Sequence, residues 1–283
     1  MELHKTSRTA WAAAVHRAVH QVLEQGRIFS DPLAARILGE DLATLARDAE
    51  SKPDSKRMRI FIAVRTRFAE DALAAAVERG VRQLVVLGAG LDTFAYRNPF
   101  AGRLAVFEVD HPATQAWKQQ RLADAGIALP ASLTFAPVDF EHHTLAEGLA
   151  AAAFDYNAPA FFTWLGVVPY LTQEAIWSTL GFIAAMPHGA HVVFDYANLP
   201  DSLEPEARAF HDNRAERVSA IGEAWLSYFE TAELHHKLIA HGFTEIEDLG
   251  PAGIAARYFP MRSRSMPENG GHVLHASSPH TLT

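Results

Sequence analysis

One stretch constrains the fold of this 283-residue chain more than any other: Gln83-Leu84-Val85-Val86-Leu87-Gly88-Ala89-Gly90-Leu91-Asp92-Thr93. An apolar run breaks into two glycines. A second apolar run, Phe107-Glu108-Val109-Asp110, then ends in acid. The pair reads as the first two strands of a nucleotide-binding α/β sheet. Gly88, Ala89 and Gly90 form a turn whose glycines let the backbone approach a ligand. Asp110, at the carboxyl end of the next strand, can accept hydrogen bonds from ribose hydroxyls. Alternatively, Asp110 is a simple helix cap ahead of Pro112. A dinucleotide fingerprint would place a third glycine where Thr93 stands, and no Gly-Lys-Ser/Thr follows to complete a phosphate-binding loop. The expected ligand therefore has an adenosine-like ribose and no pyrophosphate, a description that S-adenosyl-L-methionine meets.

Composition excludes several other classes. The chain has no cysteine, which removes disulfides and thiolate chemistry. Its formal charge is −8 and it has no stripe of Lys and Arg, which argues against a nucleic-acid partner. The apolar run Ala158 to Leu171 contains Pro169 and is too short to span a bilayer. Met1 to Thr9 does not read as a signal peptide. The expectation is a cytoplasmic enzyme with a small-molecule substrate, neither membrane nor nucleic acid as partner, and an oligomeric state left open.

Apolar spacing at Trp11, Val15, Val19 and Val22 predicts a helix over 7–25, stopped by Gly26. Ser30-Asp31-Pro32 reads as a second helix start, and a long helix is expected from Met58 to Arg79. Strands are predicted at 83–88, 104–109, 132–137, 160–165, 190–195, 243–249 and 271–276. Helical patterns lie near 92–97, 112–125, 143–152 and 173–185, a βαβ rhythm that implies a mostly parallel sheet. Residues 203–241 read as a helical insertion on the substrate side, 262–271 as a mobile loop and 277–283 as a free tail. One domain is expected over 1–283: an N-terminal helical cap (1–57), a cofactor-binding core (58–200), a helical insertion or lid (201–242), and C-terminal strands and tail (243–283).

Several motifs occur in order: Leu-Gly-Ala-Gly-Leu-Asp-Thr (87–93), Glu-Val-Asp-His-Pro (108–112), Val-Asp-Phe (138–140) and Leu-Gly-Val-Val-Pro-Tyr-Leu-Thr (165–172). Before them stand Arg27-Ile28-Phe29-Ser30-Asp31-Pro32-Leu33-Ala34 and Val64-Arg65-Thr66-Arg67. With these the chain resembles the bacterial branch of the leucine carboxyl methyltransferase-like family over roughly residues 5–275. The resemblance implies a class I methyltransferase fold. That is an α/β Rossmann-like sheet of seven strands, the last antiparallel, with an N-terminal helical cap and a helical insertion between strands five and six. It also implies an S-adenosyl-L-methionine site. Arg65 would grip the methionine carboxylate, Gly88, Ala89 and Gly90 would underlie the cofactor, Asp110 would hold the ribose, and Asp139 and Phe140 would meet adenine. The chain departs from the pattern at Leu165, where many relatives carry a glutamate.

Other readings of the residues remain. Arg65 could equally pair with Glu70 or Asp71. Trp164 and Tyr170, at the end of the fourth predicted strand, are candidate pocket walls or core residues. The pairs His142-His143 and His235-His236 point to different helix faces, and His188 and His191 have no cysteine or acid at ligand spacing, so no metal is expected. No catalytic residue is identifiable. The expected reaction is in-line methyl transfer to oxygen, a carboxylate first, since that group is ionised at neutral pH without a base. A hydroxyl or phenol acceptor is the alternative within the fold. A non-catalytic cofactor-binding protein is another alternative, and Thr93 argues against a nicotinamide dehydrogenase.

Overall fold

The computed structural model describes residues 7–52, 55–140, 142–220, 222–260 and 266–279. All seven predicted strands form: β1 (Gln83–Leu87), β2 (Ala105–Asp110), β3 (Leu133–Pro137), β4 (Ala160–Trp164), β5 (Ala190–Ala197), β6 (Glu245–Leu249) and β7 (Gly271–Ser277). Their order in one sheet is β3-β2-β1-β4-β5-β7-β6. β2 runs parallel to β3 and β4 to β5, whereas β7 is antiparallel to both β5 and β6. The last strand is therefore the reversed one. Chain contacts group into two compact units, one of residues up to Arg67 with Val85–Phe154, the other of Phe68–Leu84 with residues from Asp155 onward.

In the first unit, α1 (Arg8–Leu23) is capped by Ser7, whose hydroxyl accepts the Ala10 amide. Its buried stripe is Ala14, Arg17, Ala18, Val19 and His20, while Val22 is exposed. Trp11 and Val15 pack half-buried against the same core as Ala14 and Ala18, so of the predicted apolar positions only Val22 turns outward. Ala14, Ala18, Ala34, Ile37, Leu38, Leu91, Leu122 and Ile127 form one apolar cluster. It joins α1 and the chain after it to α4 (Pro112–Asp124). Arg59, on α3 (Ser55–Glu78), grips Glu24 with two hydrogen bonds of 2.7 and 2.8 Å. Burial acts to raise the Glu24 carboxyl, but the Arg59 guanidinium outweighs it and holds the group below the usual glutamate range.

Two expectations need correction, and the helical insertion gains detail. Residues 32–39 form successive turns, and the next helix, α2, spans Leu42–Glu50. The Asp31 carboxylate accepts the Leu33 amide as a cap would, but it is also engaged by distant side chains, and Gly39 at φ 62° ends the run. The 203–241 insertion is two helices, α7 (Pro205–Ala220) and α8 (Thr231–Ala240), joined by non-helical chain. Ser277 is the last residue of β7, and Ser278 donates its amide to Ala190 at 2.8 Å, so the expected free tail does not begin there. Residues 280–283 of that tail, and 262–265 of the expected loop, lie outside the described residues. Two shorter helices follow the predicted rhythm, α5 (Leu145–Ala151) and α6 (Gln173–Ala184), and α9 (Pro251–Tyr258) is an addition.

Candidate functional site

The glycine turn closes on the end of β2. Gly88 and Gly90 adopt φ of 65° and 42°, left-handed backbone that favours glycine. The Gly88 and Ala89 amides both donate to the Val109 carbonyl, at 2.9 and 3.1 Å. The Gly90 amide donates to Asp110 Oδ2 at 2.6 Å, and the His111 amide to Oδ1 at 2.7 Å. The Val138 amide donates to the Asp110 carbonyl at 2.9 Å, which brings the end of β3 to the same place. His111 itself caps α4, its Nδ1 accepting the Ala113 amide, so Asp110 is not that helix's cap.

Burial pushes the Asp110 carboxyl above the usual aspartate range, opposed by the two amide bonds and by the nearby Lys118 charge. A carboxylate has about four lone-pair positions. The Gly90 and His111 amides and the Thr114 hydroxyl leave one position for a further hydroxyl donor, so the group fits a ribose. Asp139 Oδ2 lies 3.8 Å from His111 Nε2, and Phe140, beside it, exposes 59% of its surface. An apolar ring so exposed at a strand's carboxyl end suits a planar base. Arg65 lies on α3 and is buried.

Behind Asp110, on the same strand face two residues back, Glu108 is fully buried. Lys118 of α4, also buried, places its ammonium 2.7 Å from Glu108 Oε2, and the Tyr96 hydroxyl donates to that oxygen at 3.3 Å. Burial raises the Glu108 carboxyl to about 7 against the Lys118 charge. The sequence motif contained Glu108 without assigning it a partner. The strand alternation could have found one, because an acid on a buried face needs a cation from the element that covers it.

A second buried polar cluster joins the first helix to the glycine turn. Arg17 donates to the Leu91 carbonyl and lies 3.6 Å from Asp31 Oδ2. Thr93, in the third-glycine place, donates its hydroxyl to the same Asp31 oxygen at 2.6 Å. Arg97 lies 3.5 Å from Asp31 Oδ1.

The second unit holds the other candidates. Trp164 ends β4 and is buried, and Tyr170 sits half-buried in the short 3-10 turn Val168–Tyr170. The Leu226 and Ser227 amides both donate to the Pro169 carbonyl, at 2.7 and 3.2 Å. The aromatic segment between α7 and α8 is thereby tied to the turn after β4. After Leu165, the Gly166 amide donates to Asp195 on β5 at 2.5 Å. His191 hydrogen-bonds His275 at 3.1 Å and stacks on Phe161, and burial with the neighbouring His275 lowers it to about 4. Among the described residues no group of three or more His, Cys, Asp or Glu could hold a metal. No helix among them is long and apolar enough to cross a membrane.

The reversed last strand and the glycine turn closed by an acid on the next strand define an α/β methyltransferase fold. A family model for leucine carboxyl methyltransferase matches residues 10–184, and the chain belongs to that family and is a methyltransferase. It is 29% identical over 291 residues to the candidate S-adenosyl-L-methionine-dependent methyltransferase YktD of Bacillus subtilis, covering 94% of this chain and 95% of that one. It is 33% identical over 220 residues to a candidate S-adenosyl-L-methionine-dependent methyltransferase of Mycolicibacterium paratuberculosis, covering 74% and 80%. Among solved structures, a candidate methyltransferase from Thermobifida fusca shares the fold at a TM-score of 0.56 and 15% identity, covering 94% of each chain.

The Glu108–Lys118 pair predicts a pH-dependent penalty. Breaking a buried pair leaves one charge uncompensated, a cost of about 3–5 kcal/mol. Lys118→Met should lose about that much stability at pH 8 by urea unfolding. Glu108 is raised above its unfolded value, so its contribution is best below about pH 4.5 and fades as pH climbs through about 7. The penalty of Lys118→Met should therefore shrink at pH 5, and Glu108→Gln/Lys118→Met should recover most of the loss at pH 8. An equal penalty at both pH values would refute this pairing.

Proposed function

We propose that this S-adenosyl-L-methionine-dependent methyltransferase acts on an oxygen, first a carboxylate, of a small, partly apolar molecule. The observation that supports the cofactor geometry is the Gly90 amide on Asp110 at 2.6 Å, which sets a half-buried acid beside the glycine turn. The cofactor supplies a methyl group on a sulfonium, transferred to an acceptor oxygen as the carbon–sulfur bond breaks. The residues of the chain then need only bind, orient and exclude water. Asp110 would accept the ribose hydroxyls, Arg65 would take the amino-acid carboxylate with its bidentate fork, and Asp139 and Phe140 would meet the adenine. Holding donor and acceptor in line, about 3 Å apart, can supply roughly 7–11 kcal/mol of the barrier.

The acceptor side belongs to the turn after β4 and the segment tied to it. Trp164, Tyr170, Trp225 and Tyr228 offer apolar surface with few polar anchors, which suits a small organic acid. The name of the family points the same way. One observation favours a hydroxyl acceptor instead. His211, in α7, has Nδ1 2.9 Å from Asp212 and Nε2 3.0 Å from the Tyr228 hydroxyl, a histidine oriented by an acid as a general base is.

Two measurements test this reading. Asp110→Ala should weaken S-adenosylhomocysteine binding by about 1.5–3 kcal/mol, because a charged acceptor for buried hydroxyls is lost. Wild-type affinity in a folded variant would remove Asp110 from the ribose. Turnover on a panel of small acids and phenols should release a methyl group on mild alkaline hydrolysis of the product. Its single-turnover rate should be nearly flat from about pH 6 to 9, since a carboxylate is already ionised there. An alkali-stable product, with a rate rising through a histidine's range, would transfer the reading to a hydroxyl and to His211.

A further inference from the structure

Gly90 faces α1 as well as a ligand. A side chain there would put its first carbon 3.0 Å from the Ala10 side chain. The helix thus lies directly against the turn, and its position is set by polar contacts that a purely apolar cap would not need. Gln21 of α1 donates to the Phe29 carbonyl at 3.2 Å and accepts the Asp31 amide at 3.1 Å. That fixes the Phe29–Asp31 strand of chain to the helix. The Asp31 carboxylate, with no exposed side-chain surface, then reaches the loop that continues from the glycine turn. It is met there by the Thr93 hydroxyl at 2.6 Å, with Arg17 and Arg97 at 3.6 and 3.5 Å. Arg97 donates to the Thr93 hydroxyl at 3.3 Å and packs over the Phe29 ring, and Arg17 also holds the Leu91 carbonyl.

Two guanidiniums and a hydroxyl around one buried carboxylate form an arrangement that is firm when complete and unfavourable when any member leaves. We propose that Asp31 is a positioning residue for cofactor binding: through Thr93, Arg17 and Arg97 it latches α1 onto the glycine turn, so that the cofactor enters and leaves only when this latch opens. Thr93 is then explained. In a dinucleotide fold a glycine at its place allows helix and strand to pack closely. Here that place carries the hydroxyl that fastens the cap. Asp31 acts on the turn through Thr93 and Leu91 and need not touch the ligand.

The proposal rests on the cofactor reading, and the test separates the two. Full-length wild-type protein, Asp31→Asn and Thr93→Val are compared, both substitutions being close in shape to the originals. Dissociation of S-adenosylhomocysteine is followed by stopped flow, and KM and kcat for S-adenosyl-L-methionine by turnover. Each variant should release S-adenosylhomocysteine about tenfold faster and raise the cofactor KM without lowering kcat at saturation, as expected when gating rather than chemistry is altered. Should Asp31→Asn not fold, Thr93→Val carries the comparison alone, since it removes only a hydroxyl. Amide exchange of wild-type Arg8–Leu23 should slow when S-adenosylhomocysteine is bound. Variants with a lowered melting temperature but unchanged release and KM would make the cluster purely structural and overturn the latch. Exchange of α1 that ignores the bound ligand would do the same. Wild-type protein that takes up no S-adenosylhomocysteine at all would instead overturn the cofactor reading.

Discussion

The 2.6 Å hydrogen bond from the Gly90 amide to the Asp110 carboxylate is the contact on which the candidate site depends. It joins residues twenty apart, the turn after β1 and the last residue of β2. With the Val109 and Asp110 carbonyls also occupied, by the Gly88, Ala89 and Val138 amides, the ends of three strands converge on one acid. That acid is half-buried, so its charge is costly, and the backbone donors with the Lys118 ammonium offset part of the cost. A half-buried carboxylate with an acceptor position to spare is what a ribose requires. No pyrophosphate cradle need accompany it, in keeping with Thr93 where a dinucleotide fold has glycine.

The arrangement separates two tasks along the chain. Every residue assigned to the cofactor, from Arg65 to Phe140, belongs to the first compact unit, and the proposed acceptor residues belong to the second. Within the first, one apolar cluster packs the cap against α4, while Asp31 and Glu108 each hold a buried charge cluster. Within the second, the aromatic segment after α7 is held by backbone bonds to Pro169 and by Ser227 on the Leu171 carbonyl at 2.5 Å.

Most strands were legible as short apolar runs bounded by glycine or a polar turn; β6 instead carries Glu245, Glu247 and Asp248 beside Ile246 and Leu249. The turn and its acid were legible because glycine and aspartate at that spacing have few other uses. What escaped notice was tertiary. The Ser30-Asp31-Pro32 signal is a sound local helix start, yet the Asp31 carboxylate serves Thr93, Arg17 and Arg97, and the chain runs on as turns. Lys118 carries no local signal of burial in its polar helix, and only the tertiary placement of α4 reveals Glu108 as its partner. Asp248 likewise gathers Tyr196, His235 and His272 at 2.6 to 2.9 Å from three other elements, a network that no local spacing announces. The apolar spacing of α1 marked the helix, with Val19 buried and Trp11 and Val15 packed on the core, whereas the contact of Ala10 with the glycine turn carried no local signal.

The central claim is that the turn at Gly88–Gly90 and its acid form a site for S-adenosyl-L-methionine and not for a dinucleotide. Isothermal titration of the wild-type protein with S-adenosylhomocysteine, and separately with NAD, tests it most directly. The account predicts saturable binding of one S-adenosylhomocysteine per chain and no binding of NAD. Binding of NAD with none of S-adenosylhomocysteine would contradict it.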